Sequence, residues 1–178
     1  MTEAAPSGVA PNEFRRWMAR WATGVSVVTA RDGGEDAGLT VNAFLSVAVR
    51  PPSVLVSLTR DADTTPVIER SRAFAVNVLA ADQRSLSERF ARTLPSAEKF
   101  RDVPFRRGAT GAALLDGTLG AVECRVVAWL PQFDHVLVVG EVVRQETGRD
   151  ADPLLFFRSD YAVSEGVGHL GLPAAPGP

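Results

Sequence analysis

The chain has little of what several classes of protein require. Its 178 residues include one cysteine and two histidines, and 19 basic side chains are balanced by 21 acidic ones. One cysteine cannot form an intramolecular disulfide, and with two histidines it cannot complete a Cys/His zinc site. A nearly balanced charge offers no basic surface to phosphates. We therefore expect no disulfide framework, no metal site and no nucleic-acid partner.

Long apolar runs are also missing. The longest ones hold only about five residues, as at 126–130, whereas a helix that crosses a bilayer needs roughly 20. Residues 1–11 do not join a basic stretch to an apolar one, so no secretory leader is predicted. These features favour a cytoplasmic protein without a membrane partner.

The length fits one domain with a single core. The two ends differ from the body, because residues 1–11 are rich in Ala, Pro, Ser and Gly and residues 166–178 are rich in Gly and Pro. Such composition is typical of disordered segments. We predict one folded domain over residues 12–165, a disordered extension over 1–11 and a flexible tail over 166–178.

The domain is predicted to begin with an amphipathic helix. Asn12 suits the N-cap position, apolar residues recur at helical spacing as far as Ala22, and Gly24 is placed to end the helix. Trp17 and Trp21 lie on the apolar stripe, so we expect them to anchor the helix in a core or an interface.

Beyond Gly24 the apolar period shortens towards two, which indicates strands. Predicted strands cover residues 25–30, 39–49, 54–58, 74–79, 121–130 and 136–143, with another at 154–158. Two short helices are predicted, one capped by Thr65 that runs from Pro66 to Ser71 and one capped by Asp82 that runs through Phe90. Because strands and helices do not alternate, the predicted fold class is mainly β with short helices, in a closed or partly closed antiparallel barrel.

No motif for a phosphate loop, a dinucleotide-binding turn, a zinc protease or a nucleophile elbow is present. Cys124 and His135 could in principle form a nucleophilic pair. However, Cys124 alternates with Val122 and Val126 on one face of a predicted strand. This pattern favours a buried core thiol.

Small hydroxyl and amide residues cluster between Gly38 and Thr65, on and just after two predicted strands. Such groups suit a flat ligand with a polar edge and apolar faces, such as an isoalloxazine ring. The phosphate of a flavin could lie beside Thr64 and Thr65, at the first turn of the helix that contains Pro66. The same residues also suit ordinary strand threonines, turns and caps, so their spacing alone leaves both interpretations open.

Short stretches along the chain carry a further signal. They are Phe14-Arg15, 22–29 (ATGVSVVT), 38–44 (GLTVNAF), Ser46-Val47, Pro51-Pro52, 74–79 (FAVNVL), Gln83, Phe90-Ala91, Lys99-Phe100, Asp134-His135, 140–142 (GEV) and 153–157 (PLLFF). Together these stretches resemble the short-chain flavin reductase family. Each match is weak alone, but they follow the family order and spacing from about residue 14 to residue 161.

The resemblance implies an FMN-binding split β-barrel, usually a homodimer, that uses NADH or NADPH to reduce FMN or FAD. Many relatives pass the reduced flavin to a separate monooxygenase. The family positions beside the flavin ring correspond to Thr40, Val41, Asn42, Ala43, Ser46, Ser57, Leu58 and Thr59. Those beside the phosphate correspond to Thr64, Thr65 and Lys99, and those on the other side of the flavin to Asn77, Val78, Leu79 and Gln83. His135 matches the catalytic position that faces the nicotinamide.

One departure concerns the triplet that ends at His135. The family commonly has Gly-Asp-His, whereas this chain has Phe133-Asp134-His135. We expect the phenylalanine to reshape the nicotinamide entrance, which leaves the preferred nucleotide open. Without the resemblance, His135 suits an ordinary residue at the end of a loop. His169, in the predicted tail, has no predicted role.

Two other functions fit the same residues. One is a split-barrel flavoprotein that keeps its flavin bound and acts on an organic substrate. The other is a flavin-binding module without catalysis, because one fold can host several functions.

Overall fold

The computed structural model of the chain describes residues 8–164. Most of the predicted extension at 1–11 and the whole region predicted as a tail, 166–178, which includes His169, lie outside the described residues. Over 8–164, none of the helices has the length and apolar character needed to cross a membrane.

The described chain contains four α-helices and twelve strands, several of them very short. The helices are α1 (Pro11–Met18), α2 (Thr64–Ser71), α3 (Arg84–Ala91) and α4 (Ser96–Phe100), and a 3₁₀ turn (Ala81–Gln83) precedes α3. The strands are β1 (Thr23–Gly24), β2 (Ser26–Asp32), β3 (Glu35–Val41), β4 (Phe44–Val49), β5 (Pro52–Thr59), β6 (Ala73–Val78), β7 (Phe105–Arg107), β8 (Ala113–Leu115), β9 (Gly120–Gln132), β10 (His135–Thr147), β11 (Leu154–Phe157) and β12 (Asp160–Val163).

Seven of these strands form one antiparallel sheet in the order β3-β2-β6-β9-β10-β5-β4. The two edge strands, β3 and β4, are separated along the chain only by Asn42 and Ala43. Three Cα–Cα steps span at most about 11 Å, so the two edges must come close together. The sheet therefore curls into a barrel whose edges meet at a seam, which confirms the predicted partly closed antiparallel barrel.

Alternation along the strands fills the barrel interior. Val56, Phe74 and Val138 are fully buried, and α2 adds Val67 and Ile68 to the same core. Each such side chain contributes about 1.5–3 kcal/mol when it leaves water. Helix α2 begins at Thr64 with Asp63 at its N-cap position, two residues before Pro66, the predicted first helical residue.

A second apolar cluster lies outside the barrel and holds the smaller elements in place. Leu79, Phe90, Leu115 and Leu154 are buried together there. This cluster joins α3 to the β7-β8 hairpin and to the sheet of β1, β11 and β12. The sequence did not predict α4, β7, β8 or β12, because segments of three to five residues carry too few apolar repeats to define a period.

Three predictions about elements are wrong. Helix α1 begins at Pro11 with Ala10 at its N-cap position, so Asn12 lies inside the helix and does not cap it. The strand expected over 39–49 breaks at Asn42-Ala43, because the chain crosses there from one sheet edge to the other. The first helix ends at Met18, well before Gly24, and buries none of its residues. Trp17 and Trp21 are 68% and 67% exposed, so neither belongs to a core of the described protein.

Candidate functional site

A groove of about 750 Å³ opens at the seam of the barrel. Its volume lies within the range of small-molecule sites. The wall from the large sheet consists of Ser26, Asn42, Ala43, Phe44, Leu45, Leu55, Ser57 and Val78. The opposite wall comes from α1, from the residues that follow it and from the small sheet, and consists of Arg15, Met18, Ala19, Trp21, Ala22, Thr23, Gly24, Phe156 and Ser159.

The polar part of the sheet wall is positioned by β5. The backbone N–H of Ser57 donates to the carbonyl of Ala43 at 3.0 Å, which ties the seam to this strand. Alternation turns Leu55 and Ser57 towards the groove, while Val56 points into the core. Asn42 is exposed at the seam itself. The groove thus combines apolar walls with a short row of amide and hydroxyl groups.

The same face of β5 leads from the groove to His135. Thr59 follows Ser57 on that face and pairs with His135 across the β5–β10 ladder. Directly paired residues share a face, so His135 lies on the groove side, about 7 Å along the strand from Ser57. The His135 ring is partly exposed.

Asp134 holds the His135 ring in one orientation. His135 Nδ1 and a carboxylate oxygen of Asp134 are 2.8 Å apart. This hydrogen bond keeps the pKa of Asp134 below its ordinary value, and the positive charge of Arg15 adds to the effect. Arg15 is the one charged residue among the described residues that line the groove. The positive charge of Arg15 therefore acts both on the Asp134–His135 pair and on the groove.

Thr23 carries an unused hydrogen-bonding group at the groove. Its hydroxyl oxygen is buried and has no partner within residues 8–164, although Thr23 lines the groove. A buried polar group without a partner is costly, so such groups are rare in native proteins. A ligand with a polar edge would supply the missing partner. Sequence periodicity gave no sign of this residue; its one signal was its place in the stretch 22–29.

The predicted phosphate residues lie around the start of α2. Thr64 and Thr65 are buried there, and the Thr65 hydroxyl donates to the carbonyl of Thr59 at 2.7 Å. The buried Lys99 Nζ donates to the carbonyl of Gly38 at 3.2 Å. Burial lowers the pKa of Lys99, and the charge of Asp63, which precedes Thr64, opposes that change. Lys99 thus belongs to the neighbourhood of Thr64.

Three other predicted site residues have side chains that bind parts of the protein. The Asn77 amide donates to the carbonyl of Val27 and accepts from the N–H of Leu115 at 2.8 Å. The Gln83 side chain bridges the N–H of Ala80 and the carbonyl of Asp116. The Thr40 hydroxyl donates to the carbonyl of Ser87 at 2.7 Å. These side chains hold β-strands, the 3₁₀ turn and α3 together.

The remaining predicted residues divide between core and surface. Val41, Leu58 and Leu79 have buried side chains in the two apolar clusters, so only their backbone groups could face a ligand. Ser46 pairs with Val54 and therefore lies on the face of β4 opposite to Leu45. Of the predicted residues, the structure thus gathers Asn42, Ala43, Ser57 and Val78 at the groove.

The alternative Cys124–His135 pair is excluded by register. Cys124 pairs with Val142, seven residues along β10 from His135, or about 23 Å. The thiol is fully buried, and burial raises the pKa of Cys124 to about 12. Cys124 is thus an inert core residue.

Comparisons with known proteins agree with this architecture. The chain matches the flavin reductase like domain over residues 18–165. It is 46% identical over 151 residues to the actinorhodin polyketide dimerase of Streptomyces coelicolor, with 84% of each chain covered. It is 39% identical over 151 residues to the FMN reductase (NADH) SmoA of Agrobacterium fabrum, with 85% of this chain and 84% of the relative covered.

A solved structure has the same arrangement. A nitrilotriacetate monooxygenase component B homologue from Mycobacterium thermoresistibile superposes with a TM-score of 0.84 at 31% identity, covering 92% of this chain and 90% of its own. The similarity therefore extends over the barrel and the smaller elements around it. The chain belongs to the flavin reductase like domain family and has its split-barrel fold.

Proposed function

We propose that this protein is an NADH-dependent flavin reductase that binds its flavin in the seam groove. The observation that carries the proposal is the shared face of β5, on which Ser57 lines the groove and Thr59 pairs with His135. One face can thus hold a flavin ring and a nicotinamide next to each other. The named activity of SmoA supports FMN and NADH as the substrates, and we retain FAD and NADPH as candidates.

The groove residues supply what a flat ring with a polar edge needs. The Asn42 amide and the hydroxyls of Ser57 and Thr23 are the donors for ring carbonyls and ring nitrogens. Met18 and Trp21 supply apolar cover for a ring face from the opposite wall. Ala43 leaves room for the ring, because its side chain is a single methyl group. Backbone groups of Thr40, Val41, Ser46, Leu58, Thr59, Val78 and Leu79 complete the proposed contacts.

The flavin phosphate is proposed to lie at the start of α2. The first N–H groups of a helix lack carbonyl partners within the helix, so this end attracts anions. Thr64 contributes a hydroxyl donor there and the buried Lys99 contributes positive charge, whereas the Thr65 hydroxyl, which donates to the Thr59 carbonyl, holds the start of α2 in place. Asn77 and Gln83 act indirectly in this proposal, because their side chains hold the neighbouring backbone in place.

Hydride transfer from the reduced nicotinamide to the flavin needs little acid–base catalysis by the protein. A bound flavin supplies the hydride acceptor for the reduced nicotinamide. The protein holds the two rings in contact, which removes much of the entropic barrier. His135, oriented by Asp134, is proposed to position the nicotinamide. The groove suits this role because its lining is mostly neutral.

We propose that the product, reduced flavin, serves a separate monooxygenase. The similar Mycobacterium structure is described as a homologue of a monooxygenase component, which supports this kind of partner. The proposed use of NADH or NADPH also favours a cytoplasmic location.

The proposed function is tested by NADH and NADPH oxidation in air, with no flavin, FMN, FAD or riboflavin added in turn. We expect oxidation that rises and saturates with added flavin. If the protein stays yellow after dialysis and its rate of nucleotide oxidation does not change with added flavin, the result favours the enzyme with a bound flavin and an organic substrate. Flavin binding without oxidation of either nucleotide would favour the non-catalytic module.

We also propose that the protein is a homodimer. Helix α1 buries none of its residues, and the edge strand β4 exposes Leu45, Val47 and Val49 at 52%, 49% and 82%. Apolar edge strands invite pairing with another chain unless they are covered. A second copy related by a twofold axis is the commonest cover for such a surface.

A further inference from the structure

The turn between β9 and β10 places a phenylalanine where the backbone favours glycine. Gln132 pairs with His135, so Phe133 and Asp134 form a two-residue turn. Phe133 has a φ of 55°, and Asp134 does not share this positive φ. A two-residue hairpin with positive φ at its first central residue favours glycine there, because a Cβ atom is strained in that conformation.

The Phe133 ring gains no packing in return for this strain. Phe133 is 86% exposed, the highest value among the large apolar side chains of the described residues. A phenylalanine without apolar neighbours contributes almost nothing to folding. A strained residue that brings no stability points to a role in binding.

The turn is held firmly next to the proposed nicotinamide residue. The Arg60 N–H donates to the carbonyl of Asp134 at 3.0 Å, and the Arg60 guanidinium donates to the carbonyl of Phe133 at 3.4 Å. Phe133 is two residues from His135, or about 7 Å along the chain. The exposed ring is thus presented at the His135 end of the face that begins at the seam groove.

We propose that Phe133 positions the nicotinamide nucleotide by stacking its ring on a flat ring of that substrate. This assignment rests on the proposed flavin reductase function. Reduced nicotinamide and adenine are both flat and both belong to NADH, so either ring would satisfy the same chemistry. Stacking on an aromatic side chain suits such rings because it needs contact area and little hydrogen bonding. A glycine in this position would form a better turn and lose the contact.

The test compares wild type with Phe133→Gly and Phe133→Leu. The measurements are the KM for NADH, the KM for reduced nicotinamide mononucleotide, the affinity for NAD⁺ by calorimetry and the melting temperature. For Phe133→Gly we expect a melting temperature higher by about 2–4 °C. We also expect the KM for NADH and the Kd for NAD⁺ to rise about threefold to tenfold. Phe133→Leu should lose donor affinity without the gain in melting temperature. If the KM rises for both NADH and reduced nicotinamide mononucleotide, Phe133 stacks on the nicotinamide ring. If the KM rises for NADH alone, Phe133 stacks on the adenine.

The matched control is Asp102→Gly. Asp102 has a φ of 57° in the link after α4 and does not line the groove. Glycine there should change the melting temperature in the same direction and leave the KM for NADH unaltered. If Phe133→Gly is instead a monomer while wild type is a dimer, the ring belongs to an interface and the assignment is wrong.

Unchanged donor constants in Phe133→Gly, together with normal flavin-dependent NADH oxidation by wild type, would overturn the assignment and leave the proposed function intact. A wild-type protein that neither oxidises NADH nor binds NAD⁺ would contradict the proposed function, and this assignment with it.

Discussion

Among the predicted site residues, Asn42 and Ala43 link the two edge strands of the large sheet. The sequence pattern gave one long strand over 39–49, because apolar and small residues alternate across the whole segment. In the structure, these two residues carry the chain from one sheet edge to the other and line the groove. The residue types in this segment suggested a binding role, but nothing in their spacing marked the crossing.

At His135, we expect substitution to affect catalysis more than flavin binding. His135→Ala removes the side chain proposed to orient the nicotinamide but leaves Asn42 and Ser57 in place. Misplacement of a substrate by about 1 Å can reduce a rate about 100-fold, so we expect flavin reduction at saturating NADH to slow about tenfold to 100-fold.

Stopped-flow measurement of flavin reduction, together with flavin titration by fluorescence, checks this prediction. Asp134→Asn is the matched control, because it keeps the imidazole and weakens only its 2.8 Å contact with Asp134; its rate should be intermediate. Reduction by His135→Ala at the wild-type rate would contradict the role of His135.

At Lys99, we expect a substitution to weaken the binding of FMN much more than the binding of riboflavin. Lys99→Met keeps most of the buried length of the side chain and removes its charge. Hydrogen bonds to charged groups contribute about 1.5–3 kcal/mol, so the affinity for FMN should fall about tenfold or more. Riboflavin lacks the phosphate, and its affinity should stay within about twofold of wild type. Equal losses for both flavins would place the phosphate elsewhere.

Among the elements, β9 shows what apolar alternation predicts about a strand and what it does not predict. The alternation from Ala121 onwards predicted the strand, but not the buried carboxylate of Glu123 within it. The backbone N–H and the hydroxyl of Thr110 donate to Glu123 at 2.7 and 2.8 Å. These contacts fix the loop between β7 and β8 against the sheet. They depend on a loop thirteen residues away, which strand periodicity does not describe.

The pKa of Glu123 gives an acid-dependent prediction for this loop. Burial raises the pKa, but the hydrogen bonds from Thr110 and Ala109 and the positive charge of Arg144 together outweigh burial, so the pKa of Glu123 lies below its ordinary value. Folding therefore favours the ionised form. Its contribution is present above the pKa of the unfolded chain, about 4.3, and is lost as the pH falls through the lower folded value.

Glu123→Gln should accordingly lower the melting temperature by about 3–6 °C at pH 7. The gap between this variant and wild type should narrow as the pH falls below about 4. The control is Glu141→Gln, which changes an exposed carboxylate on the neighbouring strand β10 and should have little effect at either pH. A gap of constant size in thermal melts from pH 7 to pH 3 would refute this account.

At the scale of the whole molecule, the folded chain leaves the apolar residues of helix α1 exposed. The apolar stripe of α1 has helical spacing, as the sequence predicted, yet α1 buries nothing within the described protein. An apolar pattern establishes that a surface avoids water and does not specify which chain covers it. The expected role of Trp17 and Trp21 as interface anchors therefore stays a prediction.

Light scattering at micromolar concentration should give a mass twice the 19.0 kDa of one chain. Val47→Glu introduces a charge on the exposed edge strand β4 and should shift the protein to the monomer, because a buried unpaired charge costs several kcal/mol. Val163→Glu is the control, since Val163 is 57% exposed on β12, which belongs to the small three-stranded sheet and does not pair with β4. A monomeric wild type would refute the dimer.

The sequence by itself determined the mainly β class, the barrel and the neighbourhood of the polar site, because alternation, turn residues and local composition act over a few neighbouring residues. Only the tertiary structure decided which polar groups face the groove. Thr59 meets His135 through the pairing of β5 with β10, two strands far apart in the chain, and Ser57 meets Ala43 where β5 pairs with the neighbouring β4. The Asn77 side chain, by contrast, forms its hydrogen bonds with other parts of the protein. Such partners are set by sheet closure, since a hydrogen bond depends on distance in space and not on distance along the chain.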